Sequence, residues 1–192
     1  MSSRFFTYIA GNTGSWRISR IHALSGEGLE SADRMDIRHD SIVDLPLGAR
    51  WMLRGVSSNA RYVTRQEQSD LAALQASLGR PEATCAALIL ISKSAQWWDL
   101  AQDVRRDILE TQSAHIAIGF KYLPAIARRL HHSRDLGEPY DFVTWFEYAP
   151  AHEPDFEMLL STLRATPEWG YVEREIDIRL RREAEKTTRE KQ

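Results

Sequence analysis

Hydrophobic positions in this chain fall in short blocks whose spacing switches between two and three-to-four residues. RFFTYIAG, residues 4–11, has the β-branched and aromatic content of a strand. The next 40 residues are mixed. SGEGLESADRMDIRHDSIVDLPLGA is polar and turn-rich, and its short apolar pieces predict loops and short edge strands. RWMLRGVSS, from residue 50, predicts a strand. TRQEQSDLAALQASLG then carries Leu71, Leu74 and Leu78 on one helical face, with a T-x-x-E capping box at Thr64 and Glu67 and Gly79 placed to end the helix. TCAALILIS, 84–92, is almost continuously apolar, which predicts a strand covered on both faces, with Cys85 as a small buried hydrophobe.

SAQWWDLAQDVRRDILETQ predicts a longer helix over 94–110, with Ser94 as N-cap and Trp98, Ala101, Val104 and Ile108 as its buried stripe. DFVTWFEYA, 141–149, predicts an aromatic strand. HEPDFEMLLSTLRAT predicts a helix with acids in its first turn, and YVEREIDIRLR, 171–181, a strand with one solvated face. Strand–helix–strand thus occurs twice, at about 50–92 and 141–181. The expected fold is α+β, with two ferredoxin-like halves, about 1–92 and 115–181, linked by helix 94–110. Residues 1–181 form one domain, and 182–192, ending in REAEKTTREKQ, a polar tail. A site between two halves suits a large ligand.

Composition narrows the chemistry. The chain has 192 residues, is 43% hydrophobic, and sets 25 basic against 27 acidic residues for a net charge of -2, which gives no electrostatic case for a nucleic-acid or membrane-surface partner. One cysteine excludes an intrachain disulfide. No apolar run is long enough for a transmembrane helix. MSSRFFTYIAGNTGSW does not read as a signal peptide, because Gly11, Asn12 and Gly14 break its apolar stretch, so a cytoplasmic location is expected. Dinucleotide, P-loop, CxxC, HExxH, EF-hand and GxSxG signatures are missing from the sequence. The histidines at 22, 39, 131, 132 and 152 lack metal-site spacing, and His131 and His132 point apart in an extended chain. What remains is HIAIGFKYLPAIARR, 115–129. On its own His115 reads as a core histidine ahead of a helix-end histidine or a ligand, and Arg128 and Arg129, not separable, read as surface arginines. With six tryptophans in the chain, a lone histidine near apolar runs and basic residues is compatible with haem.

HIAIGFKYLPAIARRLHHSRDLGEPYDFVTWFEYAP resembles the chlorite dismutase family, as do SSNARY, ISKSAQWWDL and LRATPEWGYVEREIDIRL. The likeness covers roughly residues 50–181 and points to the short, dimeric lineage. It implies an antiparallel-sheet barrel with helices outside, carrying haem b (iron protoporphyrin IX). By this resemblance the iron ligand falls on His115, the carboxylate on its second nitrogen on Glu168, and the distal catalytic arginine on Arg128, which "YLPAIAR" favours over Arg129. It puts Lys93 and Tyr62 at the porphyrin propionates, with Asn59 near them. Trp97 is favoured over Trp98 as the haem-lining tryptophan. Leu123, Thr144 and Phe146 match distal-pocket residues, and Gln75 reaches the same side.

The implied activity is conversion of chlorite to chloride and dioxygen, with Arg128 attracting the anion and holding the oxyanion left when an oxygen atom departs. Chlorite and other small anions are then the partners, together with a second copy of the chain in a homodimer. Two alternatives stay open. One is an iron-coproporphyrin oxidative decarboxylase or peroxidase of the same superfamily. Many members of that branch lack an arginine at the Arg128 position. The other is a non-enzymatic haem-binding protein. The distal aspartate motif of dye-decolourising peroxidases is not found in this sequence.

Overall fold

Strand side chains alternate between two faces, and here several strands are covered on both faces. The computed structural model describes residues 4–40, 44–57 and 63–182. Eight strands, β1 (Phe5–Gly11), β2 (Trp16–Ser25), β3 (Arg34–Arg38), β4 (Ala49–Ser57), β5 (Cys85–Lys93), β6 (Ala127–His132), β7 (Phe142–Tyr148) and β8 (Val172–Arg182), close into a barrel. The order is β1-β3-β2-β8-β5-β7-β6-β4, and every pairing is antiparallel. Each consecutive quartet has its fourth strand beside its first and its third beside its second, which is the ferredoxin-like order expected from the sequence. One seam between quartets is long, from Trp16↔Arg182 to Ser25↔Glu175. The other is short, with only Val56↔His132 and Ser57↔His131 in register.

Helices pack outside, and they belong mainly to the second quartet. Between β5 and β6 run α2 (Ala95–Asp99), α3 (Gln102–Arg106), a π-helical turn (Asp107–Gln112) and α4 (His115–Phe120). Between β7 and β8 runs α5 (Glu153–Arg164), and α1 (Arg65–Leu74) joins β4 to β5. Two apolar layers result. Tyr8, Trp16, Met35, Leu88, Trp145 and Ile178 are among those filling the barrel, while Ile89, Ile118, Phe146, Phe156 and Leu160 are among those packing its outer face against α4 and α5. Each large side chain so buried contributes roughly 1.5–3 kcal/mol. The unbroken apolar run of β5 serves both layers, and Cys85 is buried as expected.

Four sequence expectations change. The stretch after β1 is not mostly loop, since β2 is a ten-residue strand. α1 has its capping box, with Glu67 N–H donating to Thr64 Oγ1 at 3.3 Å and Thr64 N–H to Glu67 Oε2 at 2.5 Å, but it stops at Leu74. Gln75 is extended, and Gly79, with φ +82, belongs to a later turn. The helix expected over 94–110 is broken at Leu100–Ala101, where both residues are extended. That break resets the helical phase. Trp97, Ile108 and Leu109 are buried, whereas Ala101 and Val104 of the expected stripe are exposed.

The polar face of β8 is not solvated. Glu175, Asp177 and Arg179 are buried in an ionic layer against α5, where Arg164 pairs with Glu175 at 2.6 Å and Arg179 with Asp177 at 2.5 Å. Alternating charge cannot distinguish a wet face from a paired one. His131 and His132 do point apart. His131 reaches Tyr8 Oη at 3.2 Å inside the barrel, where burial pushes its pKa down to about 3, while His132 sits edge-on to Phe142 in the outer layer.

The π-helical turn ends in a corner at Ala114, with φ +50 and ψ +33, a left-handed conformation that costs a residue with a Cβ about 1–2 kcal/mol. Ala114→Gly is expected to stabilise the protein by about 0.5–1 kcal/mol, and Ala114→Val to destabilise it by about 1–2 kcal/mol. Thermal unfolding of the haem-free protein checks both signs.

Candidate functional site

His115 is the first residue of α4, immediately after the Ala114 corner. No side chain of Ala114 caps the helix. Instead Glu110, from the π-helical turn, accepts the Ile116 N–H at 2.8 Å and satisfies one of the free donors at that end. The imidazole Nδ1 lies 2.6 Å from Glu168 Oε2. Glu168 sits on the short turn Pro167–Tyr171 that leads into β8 and is 4% exposed. Its own N–H donates to Ser113 Oγ at 2.9 Å, and its second oxygen takes a 2.7 Å ion pair from Lys93 Nζ at the end of β5. The Lys93 ammonium also lies over the Trp97 ring at 4.7 Å.

These contacts set protonation. Burial works against ionising Glu168, yet His115 and Lys93 hold its carboxyl well below the ordinary range, at about 2. Burial lowers the pKa of Lys93, and Glu168 partly restores it. An ionised carboxylate only accepts hydrogen bonds, so in the neutral imidazole Nδ1 carries the proton and Nε2 keeps its lone pair. His115 lines a large cavity against the outer face of the barrel. The histidine therefore offers that space a fixed, electron-rich nitrogen.

The cavity encloses about 1130 Å³ free of protein atoms, counting its open mouth. Its walls are mostly apolar: Ile89 and Ile91 of β5, Phe142 and Phe146 of β7, Leu159, Leu160 and Leu163 of α5, with Leu71, Leu109, Ile116 and Trp169. Arg128 enters from β6. Burial lowers its pKa, and no carboxylate among the described residues pairs with it. Gln75 also lines the cavity, and its amide donates to the backbone carbonyl of Arg128 at 2.5 Å. Trp97 is 1% exposed, and its buried indole Nε1 has no hydrogen-bond partner among the described residues.

Of the residues singled out in the sequence, His115, Glu168, Lys93, Trp97, Gln75, Arg128, Thr144 and Phe146 line this one cavity. Lys93, expected at a propionate, has its ammonium on Glu168. Leu123 lies in the turn between α4 and β6 and does not line the cavity. Asn59 and Tyr62 lie outside the described residues. Sequence reasoning missed Ser113 and Glu110, which carry no motif, and Asp141, whose carboxylate accepts from Lys93 N–H at 2.7 Å and Trp98 Nε1 at 3.1 Å. The α5 leucines could have been found from helical spacing alone. Among the described residues no three His, Cys, Asp or Glu side chains form a metal cage, so a metal held by His115 would bring most of its own ligands.

The family profile described as "Chlorite dismutase" matches residues 27–182. The chain belongs to the chlorite dismutase family. It is 54% identical to the dimeric chlorite dismutase from Nitrobacter winogradskyi, whose crystal structure aligns over 92% of this chain and 99% of that one with a TM-score of 0.86. A mutant chlorite dismutase from Candidatus Nitrospira defluvii shares the fold at 18% identity, covering 94% of this chain and 92% of that one with a TM-score of 0.66. The chlorite dismutase of Ideonella dechloratans is 29% identical over 126 residues, which is 62% of this chain but only 40% of that protein. No helix among the described residues of this family member is long and apolar enough to cross a membrane.

The depressed pKa of Glu168 gives this chlorite dismutase homologue an acid-sensitive site. A carboxyl lowered from 4.5 to about 2 stabilises the fold above its ordinary value and loses that contribution as pH falls through about 2. Urea denaturation of the haem-free protein is therefore expected to show stability falling more steeply between about pH 5 and pH 3 than in Glu168→Gln. Equal slopes in the two proteins would refute the assignment of Glu168 as the ionised partner of His115 and Lys93.

Proposed function

We propose that this protein is a haem b enzyme that converts chlorite to chloride and dioxygen. The observation that carries this reading is an arginine, desolvated and without a carboxylate partner among the described residues, in the same apolar cavity as a histidine whose free lone pair is fixed by an ionised carboxylate. The residues fit iron protoporphyrin IX. His115 Nε2 would supply the protein ligand, the apolar walls suit the macrocycle, and Trp97 Nε1, without a partner among the described residues, would be a donor for one of its carboxylates. When bound, the haem iron supplies the redox chemistry that takes chlorite apart.

The chain supplies the rest. Glu168 keeps the proton on His115 Nδ1 and so raises the donor strength of Nε2. Lys93 and Ser113 keep Glu168 in place. Arg128 attracts a small anion into the cavity and holds it, and holds the departing oxyanion near until the second oxygen is taken. Its guanidinium acts in a water-poor space, where charge attraction is stronger than in bulk water. Thr144 and Phe146 limit the space beside the anion. The position of Arg128 in the cavity supports this anion chemistry over porphyrin decarboxylation, because a half-buried guanidinium without a carboxylate partner among the described residues is suited to receive a small anion. The dimeric relative at 54% identity supports a homodimer.

An oxygen electrode tests the reading. The haem-loaded protein is expected to evolve dioxygen from chlorite, with Arg128→Ala slower by about a hundredfold, the loss typical of removing one donor to a developing oxyanion. A haem-loaded protein that releases no oxygen would sink the proposal. His115→Ala is expected to change the ferric haem spectrum by removing the nitrogen that would ligate the iron, and an unchanged spectrum would refute His115 as the ligand.

A further inference from the structure

We infer that Glu110 is a positioning residue for His115: by bridging the left-handed corner at Ala114 it holds the chain segments that place the imidazole and its carboxylate. The inference rests on the reading of His115 as the iron ligand and asks what fixes the backbone beneath that side chain. α4 cannot do so alone. It has six residues, too few to be stable by their own hydrogen bonds, and Ala114, its N-cap, offers no side-chain acceptor. The corner is strained as well, since Ala114 has φ +50 and a Cβ disfavours that conformation. Buried Ile116 and Ile118 hold one face of the helix, but packing leaves its first backbone donors unanswered.

Glu110 answers from outside the helix. Its backbone carbonyl accepts the N–H groups of Ser113 and Ala114, the latter at 2.9 Å, which closes the π-helical turn. Its carboxylate then reaches past Ala114 and accepts the Ile116 N–H at 2.8 Å. One half-buried residue thus grips the chain on both sides of the corner. Both gripped segments bear on the 2.6 Å contact between His115 Nδ1 and Glu168 Oε2. Ile116 adjoins His115 in α4. Ser113 is buried, and its hydroxyl accepts the Glu168 N–H at 2.9 Å. The imidazole and the carboxylate are therefore both placed with reference to Glu110. Glu110 does not line the cavity, so a group filling that space does not compete for these contacts.

Three substitutions separate reach from charge. Glu110→Gln keeps the length and a carbonyl acceptor without the charge. Glu110→Asp keeps the charge but is shorter by one methylene, and Glu110→Ala removes both. The first readout is the His115 Nδ1–H proton NMR resonance of the haem-free protein, which a short bond to a carboxylate holds far downfield. It is expected to stay in place in Glu110→Gln and to move upfield or broaden away in Glu110→Asp and Glu110→Ala. A resonance unmoved in all three, even with lowered melting temperatures, means a cap that only stabilises, and overturns the inference. Loss in Glu110→Gln, whatever Glu110→Asp shows, means that the Ile116 bond is not what places the imidazole, and also overturns it. The comparison of Gln with Asp still decides if Glu110→Ala folds poorly.

The haem-loaded protein gives a second readout. In its ferrous form the iron–histidine stretching band in resonance Raman is expected to fall in frequency in Glu110→Ala. The haem dissociation constant is expected to rise about tenfold, the lower end of the loss on removing support from a ligating histidine. Glu110→Gln is expected to match wild type in both. A proton resonance that moves in Glu110→Ala while both haem readouts stay unchanged defeats the reading of His115 as the iron ligand, and the positioning of its imidazole by Glu110 stands.

Discussion

The 2.6 Å contact between His115 Nδ1 and a buried, ionised Glu168 is the interaction on which the rest of the site depends. It makes a histidine on a short helix into a donor of known tautomer and fixed direction. A carboxylate at that depth persists only because two donors face it, the imidazole and the Lys93 ammonium, while the Ser113 hydroxyl accepts the Glu168 backbone N–H and holds its turn in place. These groups come from β5, the π-helical turn, α4 and the turn before β8. The barrel's second quartet is the frame that brings four separate pieces of chain to one point.

The sheet also divides two tasks. Along β7, Val143 and Trp145 face the barrel interior, while Phe142, Thr144 and Phe146 face the outer layer or the cavity. The interior is filled by aromatic and aliphatic side chains and is independent of any bound group. The outer face combines its own apolar layer with the lining of the site. The ionic layer on β8 beneath α5 completes that face, with its charges matched instead of hydrated.

Much of this was legible in the sequence. Strands such as β5 and β7 announce themselves by apolar content, and the Thr64–Glu67 cap by its spacing. β2 did not, because irregularities between Ile18 and Arg20 and between Ala23 and Ser25 disrupt its two-residue period, and few of its side chains are buried. The helix break at Leu100–Ala101 lacks a glycine or proline, so periodicity carried through it. For the site, no local pattern joins His115 to Glu168, which lie 53 residues apart. Family likeness supplied that pair. The bond of Lys93 to Glu168 and the Glu110 cap depend on tertiary packing, and the residues themselves form no motif.

The pairing of β7 with β5 runs in unbroken register from Cys85↔Tyr148 to Ile91↔Phe142. A slip of one residue would turn Trp145 outward into the space now bounded by Thr144 and Phe146, and drive Thr144 into the barrel. Pocket shape and core packing would fail together. The hydrogen-bonded ladder behind the cavity is therefore a component of its selectivity, though none of its backbone atoms need touch a ligand.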